Sequence, residues 1–337
     1  MASQGLGKTR GQEGYGEGRA RIRAGDDVLF DEDAMVAELL ACLEAPDYQP
    51  PTLPAVAVEL MTLSSRADVM IDDVVALLER DSLIAGRVLE QASSAALAGA
   101  FKINSLRAAT MRLGLLRIRD IVMEIAMNLR VFKCEAYGDA MERIRRHAVS
   151  TAHLSRLVCN YTPIEGEFAF LAGLLHDVGI AGTLLALAER KGKGGRRAAP
   201  PDLLVIWPAV ERVHARAGEI MAKHWQLPPD IRLAITMHHQ VLCDGHPHPL
   251  AATVALANEL AHAAGAGLVP TAEEKEETAD GDPAGSVDDW MSAHTQLDRS
   301  SEKTLERARE ALGIDARVQG VIEGAAQGVL EKIATGI

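Results

Sequence analysis

Apolar positions recur along this chain at spacings of three and four, the signature of helices that bury one face. Structure is expected to begin near Val28 and to continue through LPAVAVELMTL. From there to about Arg130 the pattern stays helical: Val74, Leu77, Leu78 and Val88 are placed on one face, and Ile118, Ile121, Val122, Ile125 and Leu129 on another. A second helical block is expected from about Asp139 to His262. A last amphipathic stretch, from Ser301 to about Ala334, carries Leu305, Ala308, Leu312, Val318, Ile322, Val329 and Ile333, with Gly313 expected to split it in two.

The intervening segments read as connections. Residues 1–28, rich in Gly and Arg, predict a flexible arm. The stretch KGKGGRRAAPPD predicts a basic loop. The run from Pro270 to Arg299, with Glu273, Glu274, Glu276, Glu277, Asp280 and Asp282, predicts an exposed acidic linker. No internal repeat stands out.

Aromatic residues are only 4% of the chain, so Ala, Leu, Val, Ile and Met must fill the core, which favours an all-α protein over a β-sandwich. The formal charge of −12 argues against a surface coated for phosphate backbones, so nucleic acid is not an expected partner. Arg10, Arg19, Arg21 and Arg23 of the arm are read as a solvated tail. Cys42, Cys134, Cys159 and Cys243 form no CxxC pair, which speaks against disulfides or a zinc–thiolate site and for a reducing cytoplasm. The first residues hold no apolar stretch of the signal-peptide kind. The most apolar run, FAFLAGLLHDVGIAGTLLALA, has His176 and Asp177 in its middle, so no membrane span is expected.

Candidate chemistry lies in the histidines. Ile144, His147, Thr151, Leu154 and Val158 fall on one stripe, so His147 should project inward while His153 points elsewhere. His176 and Asp177 end the helix FAFLAGLLHD, with Gly179 expected as a left-handed stop. In the helix opened by Pro228 and Pro229 the inward stripe is Ile231, Ala234, Ile235 and His238, with His239 displaced by roughly 100°. Imidazoles joined by one carboxylate suit a divalent transition metal such as Fe, Mn or Zn, which would lower the pKa of bound water and polarise a phosphoryl oxygen. His214, on a stripe with Val210, Val213, Ala217 and Met221, is a further candidate ligand.

The succession His147, His176-Asp177, His214, His238-His239 resembles the HD superfamily of metal-dependent phosphohydrolases. LPAVAVELMTL, LLERDSLIAGRVLEQASSA, KINSLRAATMRLGLLRIRDIV, RRHAVSTAHLS, FLAGLLHDVG, GEIMAKHWQLPPDIRLAITMHH and LAATVALANELA together resemble its HDOD branch, over about residues 48–265. The resemblance implies two packed helical subdomains, the second with the HD-type core. On this reading residues 29–135 are the N-terminal helical part and 136–265 the HD-like core. Residues 266–300 would be the linker, and 301–337 C-terminal helices on the module. It also implies a metal set of His147, His176 and Asp177, with His214, His238, His239 and Asn258 as candidates for completion and Fe, Mn, Zn or Mg as the ion.

Two departures bear on function. Catalytic relatives carry aspartate where this chain has Asn258, which offers a neutral oxygen and cannot act as a base. The usual Asn-Ser pair after the second N-terminal helix is Ser93-Ser94 here. The resemblance therefore implies a bacterial cytoplasmic signalling regulator with a signalling protein as partner, possessing little or no hydrolase activity. The alternative is a metal-dependent phosphohydrolase of a nucleotide or cyclic dinucleotide, with Lys191, Lys193, Arg196 and Arg197 as contacts for ligand phosphates.

Overall fold

A computed structural model of the chain describes residues 31–93, 103–190, 199–268 and 302–334. The N-terminal arm with its four arginines, Ser94, the four basic residues of the 191–197 loop and the acidic run lie outside these residues.

From Glu32 onward the chain forms one compact helical unit. Helix α1 spans Glu32–Leu43, α2 Ala55–Ser64, α3 Ile71–Leu78, α4 Ser82–Ala92 and α5 Leu106–Arg130. After a single 3-10 turn come α6 (Gly138–Cys159), α7 (Ala169–Leu175), α8 (Val178–Glu189), α9 (Leu203–His224) and α10 (Pro229–Met237). A hairpin of two-residue strands, β1 (Leu242–Cys243) and β2 (His246–Pro247), leads into α11 (Pro249–Ala263). Helices α12 (Glu302–Leu312) and α13 (Ala316–Ala334) complete the described residues. The protein is all-α, as its pattern predicts.

Local chemistry sets most boundaries. The Asp81 carboxylate accepts from the backbone N–H groups of Leu83 and Ile84 and starts α4. Val74, Leu77 and Leu78 are buried on α3, but Val88 is buried on α4, so the face expected to run through all four is broken by that cap. Ile118, Ile121, Val122 and Ile125 are buried together on α5, with Leu129 half-buried. Gly114 kinks this helix at φ +77°, a conformation that other residues rarely adopt. Gly313, at φ +66°, ends α12 as expected.

Helices α2, α3 and α4 pack on α5, while α6, α7, α8, α9, α10 and α11 pack among themselves. Helix α12 lies on α11 and α13 on α6. Helix α1 sits on α9, where Arg212 pairs with Glu32 and Asp33 and Arg216 pairs with Glu44. The run Ala169–Glu189 is apolar enough by composition to cross a membrane, yet most of it is buried inside the protein, and it turns at His176-Asp177 between α7 and α8.

The two helical groups meet at a buried charge cluster. Arg119 is fully buried and donates to Asp120 Oδ1 (3.0 and 3.2 Å) and to the Glu167 carbonyl (2.5 Å) just ahead of α7. Arg156 of α6 pairs with the other Asp120 oxygen. Arg119 also lies over Phe168, and Arg117 and Arg156 lie over Phe170.

Candidate metal centre

Four helices deliver imidazoles to one carboxylate. His147 is in mid-α6 with Ile144, Thr151, Leu154 and Val158 buried on its stripe. His176 and Asp177 occupy the break between α7 and α8, His214 faces in from α9, and His238 ends α10. His147, His176, Asp177 and His238 are at most 1% exposed, and His214 is 7% exposed.

Gly179 is not the left-handed stop its position suggests: it lies in the first turn of α8. Its function is close approach. A Cβ there would stand 1.9 Å from the His214 carbonyl oxygen and 2.5 Å from the Gly218 nitrogen. Helices α8 and α9 can therefore touch backbone to backbone, which draws His214 up to Asp177.

Hydrogen bonds fix every inner ring. Nδ1 of His147 donates to the Ala266 carbonyl at 3.0 Å, and Nδ1 of His176 to Gly173 at 2.8 Å. Nδ1 of His238 donates to Ile235 at 2.8 Å, and Nδ1 of His214 to Glu211. Carbonyl oxygens only accept, so each Nδ1 carries the hydrogen and each Nε2 of a neutral ring is left with a bare lone pair. Those Nε2 atoms converge on Asp177. Its Oδ2 faces Nε2 of His176 at 3.1 Å and of His147 at 3.6 Å. Its Oδ1 faces Nε2 of His238 at 3.3 Å and of His214 at 3.7 Å. The Nε2 atoms of His147 and His176 are 3.2 Å apart, and those of His214 and His239 are 3.1 Å apart.

Burial alone would raise the Asp177 pKa, but His176 and His238 outweigh it and hold the carboxyl well below its usual range. Burial, helped by His176 and His214, lowers the His238 pKa against the pull of Asp177. The centre is thus a carboxylate anion ringed by imidazoles. Both Asp177 oxygens are buried without a hydrogen bond of ordinary geometry. Nitrogen and oxygen atoms facing one another at this range need a proton or a metal cation between them, and the donor set fits a divalent transition metal. Two overlapping groups meet the spacing for one: His147, His176 and Asp177, and Asp177, His214, His238 and His239.

The structure thus brings together six of the seven residues suggested as ligands. His239, expected to turn away, is instead beside His214, because α10 stops at Met237 and frees it from helical spacing. Asn258 is buried on α11, which packs against α6, α7 and α10. His153 lies apart, edge-on to Phe170, and burial together with Arg117 and Arg156 takes its pKa down to about 3. Sequence patterns gave no sign of the Ala266 carbonyl or of Glu211, a buried carboxylate that accepts from Trp207 Nε1 at 2.6 Å. The four-residue spacing of Trp207 and Glu211 was the only available signal.

Known proteins share this fold. A crystal structure of an HDOD domain protein of unknown function from Geobacter sulfurreducens superposes with a TM-score of 0.62 at 20% identity, covering 91% of this chain and 99% of that one. A protein from Shewanella amazonensis, named as a candidate metal-dependent phosphohydrolase, superposes with a TM-score of 0.55 at 20% identity, covering 88% and 99%. At such identities the likeness is one of fold. An uncharacterized protein of Treponema pallidum is 26% identical over 221 residues, 62% of this chain; the matched region spans only 41% of that relative's length. The HDOD domain itself matches residues 51–241, from the segment ahead of α2 to the end of the His238-His239 turn. The chain belongs to the HDOD-domain family.

Proposed function

We propose that this protein is a bacterial cytoplasmic signal-transduction regulator whose HDOD module holds a divalent transition metal at Asp177, and that a signalling protein reads the loaded state. One observation carries the metal: the Nε2 atoms of His147 and His176 lie 3.2 Å apart and both face a buried carboxylate oxygen. Imidazole nitrogens favour Fe, Mn or Zn over Mg, which prefers oxygen ligands and retains its waters. The near-complete burial of the inner donors, with neutral Asn258 in place of a carboxylate, favours a sensing or structural role over turnover.

A second reading is favoured by the sharing of Asp177 between two donor groups. In a metal-dependent phosphohydrolase of a nucleotide or cyclic dinucleotide, a bound ion would supply Lewis acidity and an acidified water. His147, His176, His214 and His238 would then keep their Nδ1–H groups on backbone carbonyls and Nε2 turned to the centre. Asp177 would hold the negative charge. His214 and His239, the less buried members, would border any substrate.

Metal analysis of protein purified without chelator or affinity tag tests the first reading, with stoichiometric metal expected in the native protein and none in Asp177→Asn. A metal present at about 100 times its Kd should stabilise the fold by about 2.7 kcal/mol, lost on chelation. Absence of metal from the native protein, and failure to take any up, would refute it. Nucleotides and cyclic dinucleotides assayed with Mn, Fe and Mg, on the native protein and on Asn258→Asp, separate the readings. Metal-dependent turnover by the native protein would decide for the enzyme.

A further inference from the structure

The imidazoles form a continuous file that runs beyond the donor groups to the protein surface. From His238, ring centroids lead to His176 at 5.1 Å, to His147 at 5.1 Å and then to His262 at 5.0 Å. His262 belongs to neither donor group, yet it stands as far from His147 as the inner rings stand from one another. It occupies the last turn of α11 and is half-buried, whereas His147, His176 and His238 have no exposure.

We propose that His262 is the loading ligand of the buried centre: the imidazole at the rim that first takes a divalent transition metal from solvent and hands it to His147. This rests on the metal-binding reading above and concerns how the centre is filled. A hydrated dication cannot reach donors with no exposure unless its waters are replaced on the way. A half-exposed imidazole one ring from His147 can make the first replacement, and His147 the second. The ion then exchanges one ligand at a time and is never stripped bare.

The cover over this end of the file suits passage. Ala263, Ala264, Gly265, Ala266 and Gly267 follow His262 without a large side chain. Gly265 sits at φ +76°, and the Ala266 carbonyl holds His147 Nδ1. The His262 ring fills the space of a missing side chain, since a Cβ on Gly267 would stand 2.4 Å from its Nδ1. The opposite end, where His239 is likewise half-buried, is covered by a docked helix. There the His239 carbonyl accepts from the Thr304 hydroxyl at 3.4 Å, and Thr304 is buried on α12, which packs on α11 and β2. A segment of Ala and Gly opens at lower free energy than a docked helix.

The test mixes metal-free full-length protein with Co(II) and follows the visible absorption of bound cobalt, with final content measured by metal analysis. His262→Gln should load about tenfold more slowly or worse, because a local capture site raises the effective concentration at His147, yet reach the same final content. Gly267→Ala, which displaces the ring without removing it, should also load slowly. His246→Gln, altering an exposed hairpin imidazole, should load at the native rate. Native-rate loading by His262→Gln would overturn the loading role while leaving the metal centre standing. Reduced final content in that variant would make His262 a resident ligand and also overturn it. A native protein that takes up no cobalt would overturn the metal-centre reading itself.

Discussion

Replacing Gly179 by alanine adds one methyl group at the contact on which the centre depends. Its Cβ would stand 1.9 Å from the His214 carbonyl oxygen, 2.5 Å from the Gly218 nitrogen and 2.8 Å from the His214 carbonyl carbon. All three are backbone atoms, so no rotamer change relieves the clash. Ordinary contact begins near 3.4 Å, so α8 and α9 must part by about 1.5 Å. Overpacking of a core costs about 1–3 kcal/mol when side chains can yield. Here the yielding parts are two helices buried against each other, and a gap of about 1 Å already forfeits up to half of each dispersion contact. A loss of about 3–5 kcal/mol is expected, a large share of a domain's stability of about 5–15 kcal/mol. Urea unfolding followed by circular dichroism measures it, with Gly324→Ala on exposed α13 as the matched control. No atom lies within 4 Å of a Cβ at Gly324, so that variant should gain about 0.5–1 kcal/mol from helix propensity. A Gly179→Ala protein within about 1 kcal/mol of native, at equal m-value, would refute the backbone-contact argument.

Two further outcomes follow from the buried charges. The His153 pKa is about 3 in the folded protein, against an ordinary value near 6.5, so the unfolded chain binds the extra proton between those values. Its contribution to stability is present above pH 6.5 and is lost as pH falls towards 3, by up to about 1.4 kcal/mol per pH unit. His153→Gln should flatten the pH dependence by that amount, and an unchanged slope in urea titrations would contradict the assignment. Arg119→Met should destabilise by about 3–5 kcal/mol, the usual consequence of removing one partner of a buried pair. It removes one of the two guanidinium partners bonded to Asp120 and leaves the Glu167 carbonyl without its guanidinium donor. A variant of native stability in urea would show that Arg119 does not anchor α7.

The inward stripes were readable because they depend only on helical spacing: His147 with Ile144 and Thr151, His214 with Val210 and Ala217, and His238 with Ala234 and Ile235 are buried where the 3.6-residue period puts them. Spacing failed where helices end. It carried α3 through to Val88 because it gave no weight to the Asp81 cap, and it turned His239 outward because it took α10 to run past Met237. Gly179 was misread for a related reason. A glycine after a polar pair looks the same in sequence whether it frees φ or admits a neighbouring backbone, and only the position of α9 tells them apart.

Long-range partners were the least accessible feature, and they bear most directly on the centre. His176-Asp177 is fixed from three directions. From α5, Arg119 grips the Glu167 carbonyl at the start of α7. Within α7, the Gly173 carbonyl takes the His176 Nδ1 hydrogen. Beyond the dyad, the Gly179–His214 contact seats α8 on α9. A carboxylate inside the most apolar segment of the chain has no independent stabilising function, since burying it raises its free energy unless positive charge lies close by. The imidazoles turn Nε2 towards it, because their Nδ1 hydrogens are committed to backbone carbonyls. The same bonds that order the rings therefore aim their Nε2 atoms at Asp177, and a cation held among them, proton or metal, supplies the positive charge that it needs.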